Sequence, residues 1–233
     1  MKYLFLIQAR LNSTRLPKKV LLDLLPGEPL IDLIIGRLQR VRNSAGSICV
    51  LTTGTPNDDA LAEHLQQRGI PCFRGDEQNV FGRFHEYLKH APVPCDYFFR
   101  VCADNPLIEP AFIDQMIDCV ESEKGDFDYV SFKSSDGVPV IQNKFGIFCE
   151  MVKTETFLNI APESLTGYQR EHVTPLFYTD KKFSVRLLDI PREIETNKLR
   201  CTVDTAEDVD VVKKILLRHG RDVSYSTLLS RTV

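Results

Sequence analysis

Tryptophan is absent, methionine occurs three times, and no apolar run approaches the length that spans a bilayer. A membrane-spanning helix is therefore excluded, and no membrane partner is expected. Charge of one sign is lacking too. Lys and Arg number 29 against 32 Asp and Glu, a net charge of −3. That balance excludes a general electrostatic grip on nucleic acid and leaves only local basic patches. Paired cysteines are missing as well. Cys49, Cys72, Cys95, Cys102, Cys119, Cys149 and Cys201 are scattered, odd in number and form no C-x-x-C pair. Neither a zinc site nor a disulfide framework is expected. Most of them sit in apolar runs, where a thiol behaves as a small buried hydrophobe, and the reducing cytoplasm is the expected compartment. There is no Walker A pattern, no low-complexity linker and no internal repeat. The opening Met1-Lys2-Tyr3-Leu4-Phe5-Leu6-Ile7 breaks at Gln8-Ala9-Arg10, so it reads as a first strand rather than a signal peptide.

What is present is a core-forming content of 43% hydrophobic residues over 233 positions, which suits one α/β domain spanning 1–233. Strand and helix patterns alternate. Tyr3–Ile7, Ser47–Thr52, Ile70–Phe73 and Tyr97–Val101 read as strands. Pro29–Val41, a helix opened by a Thr55–Asp58 capping box and running to Arg68, Val80–His90 and Pro110–Glu121 read as helices. This alternation implies a parallel sheet covered on both faces. The loops after Ile7, Thr52, Phe73 and Val101 then share the rim where ligands bind. Beyond Val130 the pattern loosens. Strands are expected at Gly146–Val152 and Leu199–Val203, an antiparallel strand at Phe183–Leu188, and helices at Thr154–Ile160 and Thr205–Arg218. Residues of about 131–190 are expected to supply acceptor-binding and lid elements.

Four rim segments carry chemistry. After the first strand, Arg10, Arg15, Lys18 and Lys19 place four cations in a loop of small and polar residues. Guanidinium forks and ammonium groups suit phosphate oxygens, although a solvated basic loop has the same composition. Asp104 follows a buried strand, either as a magnesium ligand or as an Asx turn before Asn105-Pro106. Asp204 stands one step past another strand pattern, either as a second metal ligand or as a helix N-cap. Thr205 and Asp208 form a capping box without it. Gly75, Asn79 and Arg83 follow a strand and could read a base edge or ribose, or could cap and decorate a helix.

Together these segments resemble the sugar-acid cytidylyltransferases. The signature runs through Gln8-Ala9-Arg10, Ser13-Thr14-Arg15-Leu16-Pro17 and Lys19, then Arg74–Val80 with Arg83. Asp104–Ile108, Arg170–Pro175 (Arg-Glu-His-Val-Thr-Pro) and Val203–Asp208 complete it. The nearest branch is the spore-coat polysaccharide biosynthesis cytidylyltransferases. Position 18 is Lys where that family usually has Gly, and 131–147 departs most from it. The resemblance implies a three-layer α/β/α nucleotide-diphospho-sugar transferase fold, GT-A-like, with a mostly parallel mixed sheet. It implies CTP as donor, Mg²⁺ as cofactor, a sugar or sugar acid as acceptor, and relatives that are often homodimers. Ala9, Arg10, Ser13, Arg15 and Lys19 fall on triphosphate positions, and Asp104 and Asp204 on metal positions. Thr52, Thr53, Gly75, Asn79 and Arg83 fall near base and ribose. Arg10, Arg15, Lys19, Asp104 and Asp204 are the catalytic candidates, and Arg170, Glu171 and His172 the acceptor-side candidates. A glycosyltransferase on the same fold, a non-catalytic nucleotide-binding protein, or use of another base are the competing readings.

Overall fold

The computed structural model describes residues 1–42, 48–123 and 126–230. Strands and helices alternate through the first half of the chain: β1 (Tyr3–Gln8), β2 (Asp23–Leu25), β3 (Glu28–Pro29), α1 (Leu30–Leu38), β4 (Ile48–Thr53), α2 (Asp59–Gln67), β5 (Cys72–Gly75), α3 (Val80–Lys89), β6 (Tyr97–Cys102) and α4 (Pro110–Ser122). The second half is more broken: β7 (Tyr129–Lys133), β8 (Glu150–Lys153), α5 (Thr154–Leu158), α6 (Gly167–His172), α7 (Pro175–Thr179), β9 (Val185–Asp189), α8 (Arg192–Thr196), α9 (Ala206–His219) and α10 (Tyr225–Leu229).

Seven strands form one sheet in the order β5-β4-β1-β6-β8-β7-β9. All neighbours are parallel except around β8, which runs against both β6 and β7. The sheet is thus mixed but mostly parallel. Alternate residues of each central strand enter opposite layers. Phe5, Ile7, Phe99 and Val101 pack with α1, α4 and α9. Leu4, Leu6 and Phe98 pack with α3, α5 and α7. Apolar side chains on both faces explain why β1, β4 and β6 read as near-continuous hydrophobic runs. No helix among the described residues is long and apolar enough to cross a membrane.

Several expected elements differ. The segment 199–203 is not a strand. It is pinned by single bonds to two separate segments, Cys201 N–H to the Phe145 carbonyl (3.1 Å) and Val203 N–H to the Asp104 carbonyl (2.8 Å), so no ladder forms. The strand expected at 146–152 begins only at Glu150. Gly146 has φ 72°, and a Cβ there would overlap the backbone of Cys201 and Thr202. The alternation at 183–188 belongs to β9, which pairs in parallel with β7. An edge strand alternates whichever way its neighbour runs, so the pattern carried no information on direction. Thr55 makes no side-chain cap, and a short 3₁₀ turn at Pro56–Asp58 precedes α2. The Asp58 side chain is engaged elsewhere. Ser47, expected to open β4, lies outside the described residues.

Candidate active site

The C-terminal ends of β1, β4, β5 and β6 share one rim, as the parallel register requires. A cavity of about 750 Å³ opens there. Its first wall is the loop after β1. Ala9 N–H bonds the Leu51 carbonyl (3.2 Å), Lys18 N–H bonds the Leu11 carbonyl (2.8 Å), and buried Leu11 anchors the turn between them. Asp58 fixes this loop to β4. Its carboxylate accepts from Leu11 N–H (2.7 Å), Thr52 Oγ1 (2.9 Å), Thr53 N–H (3.1 Å) and Thr53 Oγ1 (2.5 Å). Burial opposes its charge, but hydrogen bonds from Thr53, Leu11 and Thr52 outweigh that and hold the carboxyl below its ordinary value. Lys18 closes the loop with φ 59° and ψ 17°. This is the left-handed region that glycine enters freely and an L-residue enters at a penalty.

The loop directs its cations at two carboxylates. Lys19 Nζ donates to the Val203 carbonyl (2.7 Å) and to Asp204 Oδ1 (3.3 Å), and stands 4.0 Å from Asp104 Oδ2. Arg15 Nη2 lies 2.9 Å from Asp204 Oδ1. Asp204 is delivered by the pinned segment before α9, whose cap is supplied by Thr205 and Asp208. Asp208 accepts from Asp204 N–H and Thr205 N–H and pairs with Arg200. Asp208 is thus a structural residue, and Asp204 is left for the cavity. Burial pushes the Asp104 carboxyl up, an effect that Lys19 opposes. Arg10 and Ser13 also line the cavity.

No cluster of three or more His, Cys, Asp or Glu among the described residues could hold a metal. Asp104 and Asp204 are two oxygen donors without a third protein partner. Such a pair does not fit a closed zinc cage. It fits a hard cation that takes its remaining ligands from phosphate and water, as Mg²⁺ does.

The opposite wall is α6 and α7. A capping box of Thr166 and Gln169 starts α6. Between the helices Val173 adopts φ 68°, ψ −55°, and Thr174 N–H bonds the His172 carbonyl at 2.8 Å. This is a γ-turn of the rarer, positive-φ hand, a strained conformation for a β-branched residue. The kink brings Glu171, His172, Thr174 and Tyr178 to the cavity, with Tyr168 packed on His172 at a ring separation of 4.4 Å. Arg170 does not join them. Its guanidinium donates twice to the Leu165 carbonyl, at 3.0 and 2.9 Å, and steadies α6.

The floor is a chain of polar groups from four adjacent strands. Arg100 donates from Nη1 to Glu150 Oε2 (2.6 Å) and from Nε and Nη2 to Gln8 Oε1 (3.2 and 3.0 Å). Tyr129 donates to the other Glu150 oxygen (2.7 Å). Sequence reasoning gave Arg100, Tyr129 and Glu150 no role, and Gln8 only a place in the signature. A signal existed for Arg100, the one charge inside β6.

The residues expected at base and ribose are not on the cavity wall. Thr52 and Thr53 are buried and bonded to Asp58. Asn79 caps α3, accepting from Gly82 N–H at 2.9 Å. Gly75 packs on Arg83, where a Cβ would approach the Arg83 side chain to 3.0 Å. Arg83 itself is 1% exposed, and its Nε and Nη1 have no partner. Burial, then repulsion from Arg10, pushes its guanidinium down to about 10. It is a buried cation with free donors, on the same helix as Val80, which lines the cavity.

Residues 4–218 match the family described as cytidylyltransferase. The chain is 30% identical to spore coat polysaccharide biosynthesis protein SpsF of Bacillus subtilis, over 97% of this chain and 92% of that one. It is 26% identical to 3-deoxy-manno-octulosonate cytidylyltransferase of Chloroherpeton thalassium, over 94% of this chain and 99% of that one. A solved cytidylyltransferase structure from Leptospira borgpetersenii superposes with a TM-score of 0.84 at 27% identity, covering 99% of this chain and 93% of the other. The three-layer nucleotidyltransferase architecture, the basic loop after β1 and the match along nearly the whole chain agree that it belongs to the cytidylyltransferase family.

Proposed function

We propose that the protein transfers CMP from CTP to a sugar or sugar acid, releases pyrophosphate, and serves surface-polysaccharide synthesis in the cytoplasm as a single nucleotidyltransferase domain. The observation that carries this reading is the convergence of Arg15 and Lys19 on Asp204 and Asp104, beside a wall built by Glu171 and His172. The triphosphate lies along the loop at Ala9, Arg10, Ser13, Arg15 and Lys19. Arg10 and Arg15 fork onto its outer oxygens, and Lys19 adds a compact charge where pyrophosphate leaves. Asp104 and Asp204 would hold Mg²⁺, which offsets charge on the reacting phosphate when bound.

On the other wall, His172 and Glu171 bind the acceptor and orient its hydroxyl in line with the α-phosphorus. His172 takes the proton from that hydroxyl as the new oxygen–phosphorus bond forms. The floor pair Arg100–Glu150 holds Tyr129, whose ring packs on Phe177 and Tyr178 of α7, and so fastens that wall to the sheet. The sugar-acid class is supported by the name of the 3-deoxy-manno-octulosonate cytidylyltransferase relative, and the polysaccharide role by that of the spore-coat relative.

The test is pyrophosphate release with Mg²⁺, each of the four ribonucleoside triphosphates and a panel of sugars and sugar acids. Release with CTP alone, dependent on an acceptor, is the expected result. Release with another triphosphate overturns the cytidine assignment. Tight CTP binding without release for any acceptor favours a protein that binds nucleotide without turning it over.

A further inference from the structure

Asp204 faces more positive charge than one carboxylate needs. Arg15 and Lys19 share its Oδ1 at 2.9 and 3.3 Å, and Lys144 Nζ lies 4.0 Å from its Oδ2. Lys19 is also 4.0 Å from Asp104, so a single ammonium stands between the two carboxylates. Two negative groups therefore face three positive ones. The two contacts on Oδ1 differ in kind. The Lys19 side chain is 11% exposed and tied to the Val203 carbonyl, whereas that of Arg15 is 60% exposed and free to swing.

A divalent ion approaching Asp104 and Asp204 alone meets a local excess of positive charge. To bridge them it must also displace an ammonium already seated there. A triphosphate reverses both conditions. It brings several negative charges to the same loop, and its oxygens compete with Asp204 for Arg15 and Lys19.

We propose that Lys19, assisted by Arg15, is a resident counter-cation that keeps the carboxylate pair closed to a lone divalent ion, and that a bound triphosphate opens the pair by drawing these two cations onto itself. This rests on reading Asp104 and Asp204 as the metal-binding pair, and adds the order in which the site fills. By linkage, nucleotide and metal raise each other's affinity by the same factor.

Mn²⁺ binding to the full chain, read from the loss of the free-ion electron paramagnetic resonance signal, tests this without turnover. With no nucleotide present, wild type binds Mn²⁺ weakly. Lys19→Met binds it at least about tenfold tighter, as loss of a cation within contact distance of the ion implies. Lys19→Arg stays close to wild type, and Arg15→Met falls between. Adding Asp204→Asn to Lys19→Met removes the gain, which locates the ion. Thermal unfolding in EDTA checks that Lys19→Met is folded, and Arg15→Met, changed at an exposed side chain, carries the test if it is not. Equal Mn²⁺ affinity in wild type, Lys19→Met and Arg15→Met overturns the proposal and leaves the metal site standing. Absence of Mn²⁺ binding in all of them, with or without CTP, overturns the metal reading and the proposal with it.

Discussion

The two sides of the cavity are made of different material. The side below the β1 loop is dense in charge: Arg15 and Lys19 reach across to Asp204, which is buried, and the Arg15 side chain is open to solvent. The side below α6 and α7 is aromatic and amide-rich, with Tyr168, Tyr178 and Gln142 on its wall. Its floor arginine, Arg100, is matched by a fully buried Glu150. One side holds charges that can exchange partners when an anion arrives. The other holds a charge pair with nowhere to go, whose effect is on shape. The first should therefore control rate with little influence on stability, and the second the reverse.

Breaking the floor pair should give the largest effect. Arg100→Met leaves Glu150 as an unpaired charge away from water, and should destabilise the fold by about 3–5 kcal/mol in urea unfolding. Adding Glu150→Leu should restore much of that loss, since replacing a buried pair with apolar groups is often neutral. Breaking the charged side should show in turnover. Asp204→Asn should lower pyrophosphate release roughly a hundredfold or more, with the unfolding midpoint nearly unchanged. If Asp204→Asn unfolds the protein while Arg100→Met leaves it intact, the contrast between the two sides is wrong.

The remaining predictions sharpen the contrast on the charged side, where the loop's own scaffold can be probed apart from its chemistry. Asp58 has a depressed carboxyl value, so its stabilising effect is complete above the unfolded value of about 3.9 and is lost as pH falls through the folded one. Asp58→Asn should flatten the acid limb of a melting-temperature profile and loosen the loop at Leu11. The smallest effect is expected at Lys18, where Gly should remove the left-handed penalty and stabilise by about 0.5–1 kcal/mol, raising the midpoint by roughly 1–4 °C. A fall in midpoint for Lys18→Gly would mean that the Lys18 side chain contributes packing that its surface position does not suggest.

The same division runs through what could be read from the sequence. β1, β4, β5 and β6 and the loops after them were legible because long apolar runs, punctuated by Gly and Pro, repeat at the spacing of strand–helix units. Lys19 and Asp104 were legible because each lies in a loop after such a run, and Asp204 because the pattern at 199–203 read as a strand, although that segment forms none. α6 and α7 span six and five residues, too short for a helical period to show, and β8 gives no sign in its own residues that it runs backwards. Thr52 and Thr53 were placed near base and ribose by the family resemblance alone, not by a pattern of their own. The competing partner was Asp58, which had been assigned to a helix cap. Arg100 and Glu150 lie 50 positions apart, and no spacing rule joins them. Only the antiparallel register of β6 and β8 does.

Val203 has a consequence for the order of events in the cell. Its N–H holds the Asp104 carbonyl and its own carbonyl holds Lys19, so one residue clasps the first and middle parts of the chain. Lys19 and its carbonyl partner are 184 residues apart. During synthesis the basic loop leaves the ribosome long before the residues that tether it. Until then the loop has only its early anchors to Leu51 and Asp58, its lysine lacks a partner at Val203, and the pair Asp104–Asp204 does not exist. The parallel half can collapse on its own apolar runs, but the assembled site is a property of the finished chain, acquired only when its closing segment docks.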